Sequence, residues 1–517
     1  MEDPLLSRYS VVMVDEAHER SLATDLLLGL LKKVQRRRPA LRLIVASATL
    51  EAEALAAYFD TRAVRTPAPP SGLRPSLEAP CQQPAVLSIE GRMFAVAVSY
   101  LERPAPDYVQ AATEAVLALH AAGEPGDVLV FLPGQAEIER CVAMLRDAAA
   151  AQRGGGALAV FPLYAGLAPA QQLAAFGPAA RGARKAIVAT SVAETSVTLE
   201  GVTYVVDSCF AKATYFDARV GVQALVTLPA SRAACTQRAG RAGRVRPGKA
   251  LRLCTEAAFA ALPSAPVPEV QRADLAGIVL QLKALGVDDI MAFEWLAPPP
   301  ADAMLRALEL LYALGALDAG AALTQPLGGL LAELPLPPML GRALLCAGEL
   351  RCVDAMLTVA ACLQVQTLWL PRGAAGGTAE FDAKRARFAV AEGDHVTSLN
   401  VYSAYAKAAP HARPGWCARN ALSARALARV ADVRRQLAAH LRAAGVVDAP
   451  PPPGGAADAP RDAAAVRRAL TAGFFAHAAK RVSGGCVFLC PFRTSVQCRP
   501  DLSRNASLQG WHGGRAV

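Results

Sequence analysis

No window of the sequence holds 18 uninterrupted apolar residues, so no segment reads as a membrane-spanning helix. The start, Met1-Glu2-Asp3-Pro4, lacks the basic and then apolar stretches of a secretory signal. No repeat of fixed period is present. The twelve cysteines are scattered over 517 residues, which reads as reduced, intracellular thiols rather than a disulfide framework. Acid is in the minority: 44 Asp and Glu face 54 Lys and Arg, a net charge of +10. Such an excess suits a polyanionic partner such as nucleic acid without proving one. What the chain does have is apolar residues, 53% of the total and much of it alanine, which excludes a disordered chain. Its length predicts about three to five domains of roughly 100–200 residues.

The first half alternates strands and helices. Val11-Val12-Met13-Val14 is an apolar run ending in Asp15, as in a buried parallel strand. Asp25 to Lys33 reads as an amphipathic helix with Leu26, Leu27, Leu30 and Leu31 on one side, and Leu41 to Ala46 as a second strand. Residues 61–84 are Pro-rich and read as loop or linker. A second α/β stretch follows: strands at Asp127–Leu132, Ala157–Leu163, Ala186–Thr190 and Val202–Asp207, and a helix at Gln135–Leu145. The alternation predicts a doubly wound parallel sheet with ligands at the carboxyl ends of its strands. From about residue 256 the spacing turns helical, as at Leu308–Leu314 and Ala421–Ala444, and Pro450–Pro453 with Gly454-Gly455 marks a linker.

Asp15-Glu16-Ala17-His18 follows the first strand directly. Adjacent acids there suit an NTPase, in which one carboxylate anchors Mg²⁺ and the next polarises the attacking water; a charged strand end is the plainer reading. His18-Glu19 opens a zinc-protease pattern, but Leu22 stands where its second histidine belongs. Ser47-Ala48-Thr49 follows the second strand, placed to hydrogen-bond acids on a neighbouring one. In Gln237-Arg238-Ala239-Gly240-Arg241-Ala242-Gly243-Arg244, glycines permit close backbone approach, and Arg241 and Arg244 share a helical face able to clamp a γ-phosphate. A general phosphate-binding patch is the alternative.

These segments, with Ala189-Thr190-Ser191-Val192-Ala193-Glu194-Thr195-Ser196, occur in the order of motifs II, III, V and VI. The chain thereby resembles DEAH-box RNA helicases of superfamily 2 from about residue 3 to about residue 480. Gln281–Gly286 and Leu310–Gly315 resemble the spliceosome-associated branch of DEAH-box helicase 35. The resemblance implies tandem RecA-like doubly wound sheets, then winged-helix and helical-bundle domains and a partial OB-like β domain. It divides the chain at 1–84, 85–256, 257–325, 326–446, 447–463 (linker) and 464–517. By position it implies that Asp15 holds Mg²⁺, that Glu16 activates water, and that His18 couples to Gln237. Ser47 and Thr49 would link hydrolysis to RNA movement. Thr190, Ser191 and Thr195 would touch the RNA backbone, and Ser196 and Thr198 would sense the nucleotide. Glu200 would lie near the ribose, and Arg241 and Arg244 would be arginine fingers. Phe176 would stack on adenine, with core packing as the alternative, and 210–228 would form a strand-separating β-hairpin. The implied cofactors are ATP and Mg²⁺. The implied partners are single-stranded RNA of low sequence specificity and spliceosomal proteins or a G-patch-type activator. A monomer in the nucleus, away from membranes and stepping 3′ to 5′, completes the expectation.

The pattern departs from the family in one large respect. No Gly-Lys-Thr loop precedes Asp15. The near match, Gly243 to Ala250, has Ala250 where a hydroxyl should ligate Mg²⁺, and it is not expected to bind phosphate. The chain is therefore expected to be a fragment cut at both ends, its first sheet exposing an edge and apolar faces. A binding fragment without turnover is the alternative function. Ser191 stands where Asn is common, and Cys209 replaces a glycine. Cys486, Cys490, Cys498 and His512 lack zinc spacing, Lys32-Lys33 and Arg36–Arg38 read as a solvated helix end or an RNA patch, and the histidines at 120, 395, 411, 440 and 477 read as structural.

Overall fold

Two short aliphatic runs, β1 (Val11–Val14) and β2 (Arg42–Val45), pair in parallel with Val14 opposite Val45. The helix between them, α1 (Leu22–Arg37), starts at Ser21, whose hydroxyl accepts the Thr24 N–H at 3.2 Å, and ends in Arg36 and Arg37. This computed structural model describes residues 3–48, 52–60, 84–89, 94–151, 157–167, 169–180, 182–194, 199–370, 377–446, 459–481, 486–489 and 494–497. The apolar face of α1 differs from the expected one. Leu28 is fully buried and Leu27 is 43% exposed. The buried residues are Asp25, Leu26, Leu28, Gly29 and Leu31, so Leu26 and Leu31 fall on the inner face as expected and Leu27 does not. Val11, Met13 and Ile44 leave apolar side chains exposed on the two-stranded sheet, as expected. The basic run closes α1: Lys32 lies over the Tyr58 ring of α2 (Ala52–Phe59), and Arg38 donates to the carbonyls of Leu5, Leu6 and Ser7.

The larger sheet has six parallel strands. In chain order they are β3 (Val96–Tyr100), β4 (Asp127–Phe131), β5 (Ala157–Leu163), β6 (Ala183–Ala189), β7 (Val202–Asp207) and, after a separate hairpin of β8 (Phe210–Asp217) and β9 (Val222–Pro229), β10 (Gly248–Arg252). Their order across the sheet is β3-β10-β7-β4-β6-β5. Helices α3 (Tyr108–Ala121), α4 (Gln135–Ala151), α5 (Pro169–Phe176) and α6 (Arg232–Gly240) lie between them in sequence, and α7 (Glu256–Ala260) follows β10. Alternation splits β4 between two cores. Val128 and Val130 pack with Val116 and Leu145, while Leu129 and Phe131 pack with Leu163 and Ile187. Burial on both faces is what a parallel sheet demands.

β3 and β10 were not anticipated. β10 begins within the near match to a phosphate loop, taking up its last three residues, Gly248 to Ala250, and there Lys249 pairs with Glu124 at 2.7 Å. Gly243 is needed just upstream, because a Cβ there would sit 2.5 Å from the Phe94 carbonyl oxygen.

By internal contacts the chain divides into Asp3–Tyr215 with Leu225–Arg272, and Phe216–Ala224 with Ala273–Val517. The second unit is mainly helical: α8 (Ala276–Ala284), α9 (Ala301–Ala313), α10 (Leu327–Glu333), α11 (Pro338–Glu349), α12 (Val353–Leu363), α13 (Thr378–Ala386), α14 (Asp394–Lys407), α15 (Arg413–Arg419), α16 (Ala424–Ala443) and α17 (Ala459–Phe474). Leu344, Met356, Leu437 and Val466 join α11, α12, α16 and α17 in one core. The α11–α17 crossing is close enough that a Cβ on Gly473 would meet the Met339 carbonyl oxygen. Three antiparallel strands, β11 (Ala479–Arg481), β12 (Cys486–Leu489) and β13 (Thr494–Gln497), follow. Among the described residues no single helix is long and apolar enough to cross a membrane.

Candidate active site

The end of β1 turns abruptly. Glu16 and Arg20 both adopt left-handed backbone, φ 53° and 48°, on either side of a 3-10 turn at Ala17–Glu19. Each such residue costs about 1–3 kcal/mol and persists only where its surroundings fix it. Here three contacts do so. The Glu16 N–H donates to Asp15 Oδ1 at 2.8 Å, and the Ala17 N–H donates to the Ala46 carbonyl at 3.0 Å. Arg20 makes a two-pronged pair with the fully buried Asp25, at 2.9 and 3.1 Å.

His18 is buried, and its Nδ1 accepts the Ala48 N–H at 3.2 Å. Its Nε2 is buried and lies 3.4 Å from Glu16 Oε2. This joins the acids after β1 to the Ser47-Ala48 segment after β2. The sequence-based link from His18 to Gln237 is not made among the described residues; Gln237 lies half-buried on α6. The segment at 268–272 also reaches α1: Glu269 Oε2 accepts the Leu22 N–H at 2.7 Å, and the Glu269 N–H donates to the Arg20 carbonyl.

The second half of the site rests on Arg238, a residue the sequence reading did not single out. Its side chain is 3% exposed and meets Asp207 at 2.9 Å, Glu194 at 3.2 Å and the Phe210 carbonyl at 3.2 Å, with the Phe131 ring beneath it. The two carboxylates outweigh burial and raise the already high pKa of Arg238. Burial pushes the Glu194 carboxyl up, against the pull of Arg238. Arg241 follows one turn later and donates to the Glu194 carbonyl. Burial and the neighbouring Arg244 lower its pKa to about 10, while the Glu194 and Glu16 carboxylates oppose the drop. The Glu16 carboxylate after β1 is thus near enough to Arg241 after α6 to favour its charged form.

Residues 111–246 match the helicase conserved C-terminal domain, 307–336 the winged-helix part of the helicase associated domain, and 337–398 its ratchet-like part. The chain is 44% identical over 489 residues to a Homo sapiens protein named "Probable ATP-dependent RNA helicase DHX35", covering 94% of this chain and 66% of that protein. It is 40% identical over 503 residues to the Schizosaccharomyces pombe "Pre-mRNA-splicing factor ATP-dependent RNA helicase prp22", covering 96% of this chain and 40% of the relative. The crystal structure of the Escherichia coli DExH-box NTPase HrpB superposes with a TM-score of 0.70 at 29% identity, covering 96% of this chain and 51% of HrpB. The chain belongs to the DEAH-box RNA helicase family. It spans less than two thirds of the length of these curated relatives.

In this DEAH-box chain Asp15 and Glu16 are exposed at the strand end, offering the hard oxygen donors that Mg²⁺ prefers. Ser47 is half-buried beside them. Thr190 and Ser191 stand at the carboxyl end of β6, where the Thr190 N–H donates to the Leu163 carbonyl. Glu200 is exposed on the turn into β7, at the same amino-terminal edge of the sheet as the turn from Arg244 into β10. Phe176 packs against the core beside Ala175 rather than standing free. Buried Lys185 holds the carbonyls of Ala175 and Gly177 on either side of it, at 2.9 Å each. Thr49, Thr195, Ser196, Thr198, Cys490, Cys498 and His512 lie outside the described residues.

The sequence carried signals for some of what was missed. Glu194 lies inside the motif at 189–196 and Asp207 ends an apolar strand, so both acids were visible, though not their pairing with Arg238.

Proposed function

We propose that this DEAH-box chain belongs to an ATP-driven machine that unwinds RNA or remodels RNA–protein complexes in nuclear pre-mRNA splicing. The observation that supports it is the charge coupling of Glu16 to Arg241. Bound Mg²⁺·ATP supplies the phosphoryl group and the charge to be neutralised. Asp15 presents a carboxylate for the metal, and Glu16, rigid in its left-handed turn, orients water and draws its proton. Arg241 and Arg244 neutralise charge gathering on the phosphate oxygens. His18 relays a shift of Glu16 to the backbone at Ala48, with Ser47 and Thr49 adjacent. Ser196, Thr198 and Glu200 are the residues of this reading that would meet the nucleotide, while Phe176 serves core packing. Thr190, Ser191 and Thr195 hold the RNA sugar–phosphate, a mode that reads no base sequence. Spliceosomal proteins or a G-patch-type activator are the protein partners of this reading.

A specific observation favours a second reading for the 517 residues by themselves, binding without turnover. The only stretch approaching a Gly-Lys loop runs into strand β10, with Lys249 committed to Glu124. The experiment measures RNA binding by fluorescence anisotropy and RNA-stimulated ATPase on the same protein. The expected result is RNA binding without ATPase. Extension with the N-terminal part of the human relative should then confer turnover. In that protein Glu16→Gln keeps nucleotide binding and abolishes hydrolysis, and Arg244→Ala slows it by a factor on the order of 10³. Robust ATPase of the 517-residue chain would refute the second reading, and an unchanged rate in Glu16→Gln would refute the first.

A further inference from the structure

Next to the Arg238–Asp207 pair, three thiols and a carboxylate converge. Asp207 ends β7, Cys209 follows two residues later, Cys235 lies in α6, and Cys254 stands just beyond β10. One ligand atom from each of Asp207, Cys209 and Cys235 lies within 4.8 Å of the others, and all three residues are buried. Cys254 Sγ is 3.6 Å from Cys209 Sγ and half-exposed. Bonds of about 2.3 Å to a tetrahedral Zn²⁺ place two sulfurs about 3.8 Å apart, so this pair needs almost no movement to share an ion.

A separate observation points into the same space. Asp207 Oδ1 is taken by Arg238 and by the Cys209 N–H, both at 2.9 Å. Its other oxygen, Oδ2, is buried and has no hydrogen-bond partner among the described residues, on a side chain only 2% exposed. A buried carboxylate oxygen left unpaired is costly, and a cation relieves it. Cys209 also holds a left-handed backbone, φ 59°, that a β-carbon disfavours, and this turn carries its thiol into the cluster.

We propose that Asp207, Cys209, Cys235 and Cys254 form a binding site for a thiophilic divalent cation of the Zn²⁺ class, which fastens α6 to the ends of β7 and β10. The three sulfurs are soft donors, and the set of three thiolates and one oxygen suits a closed structural site more than a catalytic one. Without an ion, the Cys235 thiol, burial and the Asp207 charge all hold the Cys209 proton in place. On binding, each thiol releases its proton to solvent and the ion takes its place. Three thiolates and a carboxylate carry four negative charges. The ion cancels two, and Arg238, shared between Asp207 and Glu194, offsets part of the remainder. The half-exposed Cys254 gives the ion its way in. α6 carries Arg238 and leads into Arg241, so a metal here fixes the base of the arginine-bearing segment. The proposal does not depend on nucleotide turnover.

The test titrates the reduced, metal-free 517-residue chain with Co²⁺ and then Zn²⁺. Expected is about one Co²⁺ per chain with a sulfur-to-cobalt charge-transfer band and the intense visible bands of tetrahedral cobalt, displaced by Zn²⁺. Cys209→Ser and Cys235→Ser abolish the band. Cys254→Ser, at the half-exposed position least able to disturb folding, weakens binding at least about tenfold. Replacing Cys486, Cys490 and Cys498 together by serine leaves the band intact. No band in the reduced wild-type protein overturns the proposal. So does a band that survives both Cys235→Ser and Cys254→Ser, or one that vanishes with the three tail cysteines. A Cys209–Cys254 disulfide in freshly purified protein that takes up no cobalt after reduction would assign the thiols to redox pairing and overturn it equally.

Discussion

Replacing Arg238 by methionine removes the one cation from between Asp207 and Glu194 while keeping much of the side-chain volume. Both acids are buried, with side-chain exposures of 2% and 13%, and neither can turn to water without opening the sheet. Removing one partner of a buried ion pair costs about 3–5 kcal/mol, because the charge left behind stays desolvated. Two stranded carboxylates put this variant at the upper end of that range. The loss should depend on pH. Burial already raises the Glu194 pKa above its usual value, and Arg238 is the main influence holding it down. A carboxyl whose folded pKa is raised favours folding fully below its unfolded pKa and loses that contribution as pH rises through the folded value. Without Arg238 the folded value rises further, so the deficit is small near pH 5 and full at pH 8.

The readout must be local, because the tryptophans among the described residues, Trp295, Trp369 and Trp416, lie in the mainly helical unit. Amide hydrogen exchange of 202–207 and 232–240 under urea reports the affected region, and tryptophan fluorescence serves as the unaffected control. A loss below about 1 kcal/mol at pH 8, or one equal at both pH values, would refute the reasoning.

Two further substitutions test the packing. Leu28→Ala should cost about 2–5 kcal/mol and Leu27→Ala less than about 1 kcal/mol, read as the shift in urea midpoint of the α1 amides; equal losses would contradict the face assigned to that helix. Gly473→Ala should lower stability by about 1–3 kcal/mol, seen as an earlier tryptophan-fluorescence transition, because its methyl group would press on the Met339 carbonyl; an unchanged transition would mean that α11 and α17 can part at no cost.

Local signals explain what was legible. β1, β5 and β7 fall where their apolar runs were read, because each run is bounded on at least one side by charge or glycine; only β7 is buried throughout. The hairpin of β8 and β9 likewise occupies the stretch read as one. β10 was missed because Gly243–Ala250 carries the local composition of a phosphate loop. It becomes a strand because Lys249 and Ala250 align with Tyr204 and Val205 of a distant segment. The face of α1 was misread because four leucines crowd two turns and hydrophobicity alone does not choose among them. The buried pair Arg20–Asp25 and the role of Arg238 were invisible for a related reason. Which arginine in an arginine-rich motif turns inward depends on acids 31 and 44 residues away in sequence.

Glu269 takes the first-turn N–H of α1 and gives its own N–H to Arg20, joining points 247 residues apart in the chain. That double clasp makes the acid pair after β1 a passenger of the segment leaving the larger sheet. A swing of the small strand pair must drag 268–272 with it or unfasten both bonds together.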